Sequence, residues 1–304
     1  MSGVQVSAVG TGAIELRPLE AGEAGWVRWA AYAASVLILG AVLYQLRSID
    51  LRMVVGLLPV NPGFWLLFAT YYLAAPLAEW HIFRRLWALP PRGVTALLRK
   101  QVSNELLLGY SGEVFFYAWA RRHARLAAAP FGAIKDVTIL SAVVGNVFCL
   151  LIVLAAAPLL RSLHFGVDAP KAIASAGVIL LTSAAAMLFR RRLFTLPREE
   201  LLRIMGVHAA RVLVTTGVAA AMWHLLLPQV ALGWWLVLGA ARQLLSRLPL
   251  LPNKDVVFAG VAAMLVGGEG EIAAAMTLMA TLLLMAHLLV GATLASAELA
   301  EGAS

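Results

Sequence analysis

Six stretches of this chain are each long and apolar enough to cross a bilayer as a helix: Trp26–Leu46, Gly63–Phe83, Val137–Leu160, Ile173–Phe189, Met205–Leu227 and Ile272–Ala295. A span takes about 20 predominantly apolar residues. In hydrocarbon, each backbone N–H and C=O must find its partner inside the protein, which favours helices for runs of this length. Composition agrees. Hydrophobic residues make up 62% of the 304 positions and charged ones 13%, where a soluble domain carries about 25% charged residues. The expected fold is an all-α polytopic membrane protein, with one transmembrane domain over 26–304 behind a polar, disordered cytoplasmic tail over 1–25. That tail ends in EAGEAG and has no basic start ahead of an apolar core, so it does not read as a signal peptide.

Two further stretches, roughly Val94–Arg122 and Trp234–Val266, are long enough to enter and leave a bilayer but are broken by polar residues, Gly or Pro. They resemble each other. Lys100–Ala118 (KQVSNELLLGYSGEVFFYA) aligns without a gap to Arg242–Gly260 (RQLLSRLPLLPNKDVVFAG), an offset of 142 (255 − 113). Gln101/Gln243, Leu106/Leu248, Leu108/Leu250, Val114/Val256 and Phe116/Phe258 are identical pairs, Lys100 faces Arg242 and Glu113 faces Asp255. Five identities in a Leu-rich chain are modest by themselves. However, the same offset carries the first three spans to 168–188, 205–225 and 279–302, close to the last three. The expected architecture is therefore about six full spans plus two polar, broken or re-entrant hairpins, in two repeats over 26–160 and 168–302. Three spans and one hairpin per repeat would turn the second repeat upside down, the inverted-topology arrangement of many transporters.

Basic residues orient the chain, since Lys and Arg concentrate in cytoplasmic loops. Arg84, Arg85, Arg92, Arg99 and Lys100 form one expected cytoplasmic cluster, Arg121, Arg122, Arg125 and Lys135 a second, and Arg190, Arg191, Arg192, Arg198 and Arg203 a third. A hairpin returning to the cytoplasm satisfies the first two, and both termini then lie inside. The second polar segment leaves two topologies open, because Arg242, Arg247 and Lys254 suit two full crossings as well as a re-entrant hairpin. The formal net charge of +8 (24 − 16) reads as membrane anchoring rather than nucleic-acid binding.

A carboxylate at membrane depth is costly, about 2.5–3.5 kcal/mol on insertion scales, and such groups usually face a cavity and a partner. Glu113 follows Gly109-Tyr110-Ser111-Gly112, where two glycines let the backbone turn, and Asp255 follows Pro252-Asn253-Lys254. These two acids are expected to flank one cavity, with Arg242, Arg247 and Lys254 as countercharges and Asn104, Gln101, Gln243, Asn253 and Tyr110 completing the polar lining. The competing reading makes both acids solvated loop residues. Glu79, Trp80 and His81 read as an interfacial cluster, Arg211 as a snorkelling side chain near His208, and His224 and His287 as packed, hydrogen-bonded histidines. Glu269 and Glu271 read as a solvated turn. The single cysteine, Cys149, excludes a disulfide within the chain. No nucleophile–base pattern, phosphate loop or HExxH motif is present, so no catalytic residue, cofactor or metal is expected.

Asn104…Gly112-Glu113 and Leu248-Pro249-Leu250-Leu251-Pro252 resemble the two signatures of the lysylphosphatidylglycerol synthase/flippase transmembrane family. Order, spacing and the eight-segment layout are similar over most of the chain after Trp26. This sequence departs from the pattern in lacking a Pro before Gly109 and in having Phe115-Phe116-Tyr117 where an Arg is usual. Asn253-Lys254-Asp255 stands where glycines would be, and Gly260 lies near where an acid is common. The resemblance implies a divergent member consisting of the membrane module without the soluble aminoacyltransferase domain, in a bacterial inner membrane. The function it implies is that of a lipid flippase or lipid-binding transporter acting on a phospholipid or other polar-headgroup lipid. Three alternatives stay open: an accessory subunit of a glycolipid, hopanoid or cell-envelope lipid pathway, an ion-coupled small-solute carrier and, last, a membrane-embedded lipid transferase in which only Glu113 or Asp255 could serve as the base. The partners this reading admits are a membrane lipid, a lipid-modifying enzyme and a second copy of the chain.

Overall fold

In a computed structural model, the described residues are 58–107, 111–123, 130–162, 194–231, 233–235, 238–239, 242–243, 258, 262 and 270–303. They are helical, with no strand among them. The main helices are α1 (Pro62–Trp87), α2 (Gly93–Leu106), α3 (Ser111–His123), α4 (Pro130–Ser162), α5 (Arg198–Leu226) and α6 (Gly270–Ala303). Within α4, α5 and α6, the segments Phe131–Ile152, Arg198–Leu226 and Ala274–Ala300 are long and apolar enough to cross a membrane. Three of the six expected spans coincide with these helices; α1, which contains the span expected at Gly63–Phe83, is not among the helices apolar enough to cross. Those expected at Trp26–Leu46 and Ile173–Phe189 lie outside the described residues.

Local chemistry sets several boundaries. Asn61 caps α1 by accepting from the Gly63 N–H at 2.8 Å, and Pro62 opens the first turn, where its missing N–H costs nothing. At the other end Ala88 adopts a left-handed conformation (φ 50°) before Pro90-Pro91 excludes further helix. α5 begins at Arg198, seven residues before the apolar run (205 − 198). Glu199 and Glu200 in its first turn meet the positive end of the helix dipole.

Helix directions follow from the contacts. Phe64 near the start of α1 packs with Met222 and Trp223 of α5 and with Ile272 and Met276 of α6. Phe83 and Trp87 near its end pack with Ile204 of α5 and Ile134 and Val137 of α4. α1 and α6 therefore run parallel, and α5 runs against them. α4 and α5 begin at the same end of the bundle, where the buried Asp136 accepts from the Thr195 N–H (2.7 Å), the Thr195 hydroxyl (2.9 Å) and the Leu196 N–H (2.8 Å). Arg85 pairs with Glu200 there at 3.3 Å. At the opposite end Gln229 donates to Glu271 at 2.9 Å.

The first polar stretch is a broken helical hairpin. α2 enters from the end where α1 finishes. Its inner half, Val102 and Leu106, packs on Leu288 and Ala295 of α6. α3 then returns, burying Phe116 against Phe83 and Trp87. Elements of the second polar segment join the opposite end: Trp235, Leu238, Phe258 and Ala262 share a core with Phe64, Trp223 and Met276.

Candidate functional site

The hairpin brings charge into the bundle. Lys100 of α2 has a side chain only 7% exposed and lies between two carboxylates, 2.7 Å from Glu79 Oε2 of α1 and 3.4 Å from Glu113 Oε1 of α3. His208 and Arg211 of α5 lie within electrostatic reach of Glu79. Arg211 also donates to the Ser141 hydroxyl of α4 at 3.1 Å. His208 is fully buried and neither ring nitrogen has a hydrogen-bond partner; the Val137 backbone faces the ring without reaching bonding geometry. Four helices thus converge on two acids, two bases and a histidine. With the imidazole neutral, the formal charges balance.

The hairpin holds this geometry through a motif visible in the sequence. Asn104 Oδ1 accepts from the Gly112 N–H at 2.7 Å, and the Ser111 hydroxyl donates to the Ser103 carbonyl at 2.9 Å. Asn104 therefore serves as a cap for α3 supplied by α2, satisfying one of the donors that a helix start leaves open. Gly112 is the point of closest approach, since a Cβ there would lie 2.1 Å from the Lys100 carbonyl oxygen. These two contacts set Glu113 one residue beyond Gly112 and opposite Lys100. One oxygen, Glu113 Oε2, is buried and has no hydrogen-bond partner.

Several expectations change. Arg99 and Lys100, expected with the first basic cluster, are buried: each is 6% exposed. Arg99 pairs with Glu298 near the end of α6 and rests 4.4 Å over the Phe115 ring. Charge counting does not reveal this burial, because it takes no account of the acids that face them, Glu298 for Arg99 and Glu79 and Glu113 for Lys100. Among the described residues, the cation beside Glu113 is Lys100 of its own hairpin, whereas Arg242 lies over the Tyr71 ring at 5.1 Å. Glu79 is drawn into the bundle by Lys100, while its neighbour Trp80 stays at the periphery, donating to the Pro90 carbonyl at 3.3 Å. Arg211 reaches Ser141 across the bundle. His287 is packed and bonded, 3.1 Å from the Tyr72 hydroxyl, and His224 is exposed.

Gln101 donates to the Tyr72 carbonyl at 3.3 Å, and Gln243 to the Thr216 hydroxyl at 3.4 Å. Tyr110, Arg247, Asn253, Lys254 and Asp255 lie outside the described residues. Lys100 and Asp136 were missed as organising groups. A Lys in a Leu-rich helix with an acid 13 positions on (113 − 100) was a signal for the first; for the second the adjacent Lys135 pairs with Oδ1 at 3.2 Å, but nothing local marks Thr195 and Leu196, whose groups bond Oδ2. No group of three or more His, Cys, Asp or Glu able to hold a metal occurs among the described residues. No protein-family model, no curated protein and no solved structure matches this chain.

Proposed function

We propose that this chain is an integral membrane lipid flippase or lipid-binding transporter, which moves or presents a polar-headgroup lipid along a path between two charged hairpins. The observation that carries this reading is the buried Glu79–Lys100–Glu113 cluster on a broken hairpin, with one Glu113 oxygen left unbonded. A headgroup crossing about 30 Å of hydrocarbon needs polar groups along its route, while its tails remain in lipid. A shared cation is suited to this role. As a cationic group approaches Glu113, Lys100 keeps Glu79 as its partner, so no charge is left alone.

The repeat reading gains support from equivalent contacts. Gln101 bonds to α1 and its counterpart Gln243 to α5, the helix onto which the 142-residue offset carries α1. Phe116 packs on Phe83 of α1, and its counterpart Phe258 stacks on Trp223 of α5 at 6.2 Å. The described residues Trp235, Leu238, Phe258 and Ala262 of the second polar segment join the end of the bundle opposite the entry of α2, an arrangement in keeping with inverted repeats. The accompanying proposals are a bacterial inner-membrane location and cytoplasmic termini.

Headgroup translocation in proteoliposomes tests the reading, with cationic and anionic labelled lipids and wild type, Glu113→Gln and Asp255→Asn. Movement in wild type that is lost in both variants, with folding retained, is the expected result. Movement indifferent to Glu113→Gln, with co-purification of a lipid-modifying enzyme, would instead establish the accessory role. His208, buried and unbonded beside the cluster, favours a second reading, an ion-coupled carrier. Solute uptake that collapses with the proton gradient and in His208→Gln would support it.

A further inference from the structure

Apart from the Lys100 cluster, a second set of titratable groups meets inside the bundle. The Tyr72 hydroxyl of α1 lies 3.1 Å from His287 Nδ1 of α6, and the two rings are tilted with centroids 5.1 Å apart. Both residues are buried. Glu105 of α2 lies within electrostatic reach of Tyr72. An acid, a phenol and an imidazole thus come together, one from each of three helices. His287 stands 17 residues (287 − 270) into the 34 of α6, halfway along a helix apolar enough to cross a membrane. An ionisable group at that depth is costly and usually serves a function, proton transfer among the commonest.

The helices are tied together around this set. Pro76 has no N–H, so the Tyr72 carbonyl four residues earlier has no helical donor. Gln101 supplies one from α2, at 3.3 Å, one turn before Glu105. Next to Glu105, Leu106 shares a small core with Leu288, the neighbour of His287. Glu105 and His287 therefore flank the seam between α2 and α6, with Tyr72 in reach of both. The other charges near the set have their own contacts. Lys100 lies between Glu79 and Glu113, Arg99 pairs with Glu298, and Arg211 of α5 donates to Ser141. Arg242 lies over the Tyr71 ring and reaches α6 near Leu283, one turn before His287. α6 itself carries no charged residue between Glu271 and Glu298.

We propose that Glu105, Tyr72 and His287 form a proton-binding site in the bundle interior. The proton rests on His287, whose Nδ1–H then donates to the Tyr72 oxygen, and the Glu105 carboxylate offsets the charge of the imidazolium. Uptake of the proton places opposite charges on the two sides of the α2–α6 seam and draws the hairpin onto α6; its release leaves a carboxylate opposite a neutral ring. The ligand is the proton alone. The inference goes beyond the lipid-handling reading and stands without it, since no headgroup enters the argument.

Nitrogen NMR of the full chain in liposomes, with ¹⁵N-labelled histidine, tests the proposal, because neutral and protonated imidazoles give distinct ring signals. The signal absent from His287→Gln identifies His287. In wild type this ring is expected to pass from imidazolium to neutral between about pH 5 and pH 8. Glu105→Gln should lower the midpoint by about one pH unit or more, because a nearby opposite charge favours the charged form. Tyr72→Phe, which removes the oxygen that accepts from Nδ1–H, should lower it as well. A His287 ring that keeps one form across this range in wild type, or a midpoint unchanged in Glu105→Gln, would overturn the proposal. Should Glu105→Gln fail to fold, Tyr72→Phe takes its place, and a midpoint equal to that of wild type would then be the overturning result.

Discussion

A methyl group on Gly112 would lie 2.1 Å from the Lys100 carbonyl oxygen, 2.7 Å from its carbon and 2.8 Å from the Lys100 Cα. All three are backbone atoms, so relief requires the two helices of the hairpin to separate. Gly112→Ala is expected to lose the folded, monodisperse protein in detergent, or to lower its Tm far more than Asn104→Ala does. The latter removes one cap, worth about 0.5–2 kcal/mol, and should lower Tm by several degrees. Equal, small shifts in both variants would mean that the hairpin is not closed as described. The Asn…Gly-Glu pattern was legible as a motif, but its division of labour was not. Sequence placed Asn104 in the polar lining of a cavity, whereas its side-chain oxygen is committed to the Gly112 N–H. A polar side chain at a helix break can serve a ligand or the backbone equally well, and only the distance tells which.

Lys100 ties three elements together, because α1 and α3 each contribute an acid to a cation on α2. Removing one partner from a buried ion pair leaves an uncompensated charge and costs about 3–5 kcal/mol, whereas replacing the pair can be nearly neutral. Lys100→Met is therefore expected to destabilise the protein strongly in reversible unfolding from detergent, and Lys100→Met/Glu79→Gln to recover a substantial part of that loss. Additive effects in this double-mutant cycle would show that the two residues do not interact. At this scale the hairpin was legible, since apolar residues interrupted by glycines and polar groups predicted a break near Gly109. The partners of its charges were not. Arg99 and Lys100 are adjacent in sequence, yet one meets Glu298 of α6 and the other Glu79 of α1. Successive helix positions point about 100° apart, so each meets a different neighbour.

Across the whole molecule, α1 and α6 run one way and α4 and α5 the other, which puts Arg85 and Glu200 at one end and Gln229 and Glu271 at the other. In a Cys149→Ser background, single cysteines from Arg85→Cys and Glu200→Cys should react with an impermeant thiol reagent from one side of a sealed vesicle. Those from Gln229→Cys and Glu271→Cys should react only from the opposite side. Labelling of all four from one side would refute this helix order. Sequence by itself determined the solvent and the class of structure. Apolar runs of this length and so few charges have a large favourable transfer into hydrocarbon, and hydrocarbon admits helices with internally satisfied backbones. It also marked where a helix had to break. Only the tertiary structure decided which charges are buried together and that Asp136 holds the approach to α5. Transfer free energy depends on a residue's own surface and sums along the chain. The free energy of a buried charge or donor depends on the group opposite it, which here lies 59 positions away for Asp136 and Thr195 and 199 (298 − 99) for Arg99 and Glu298.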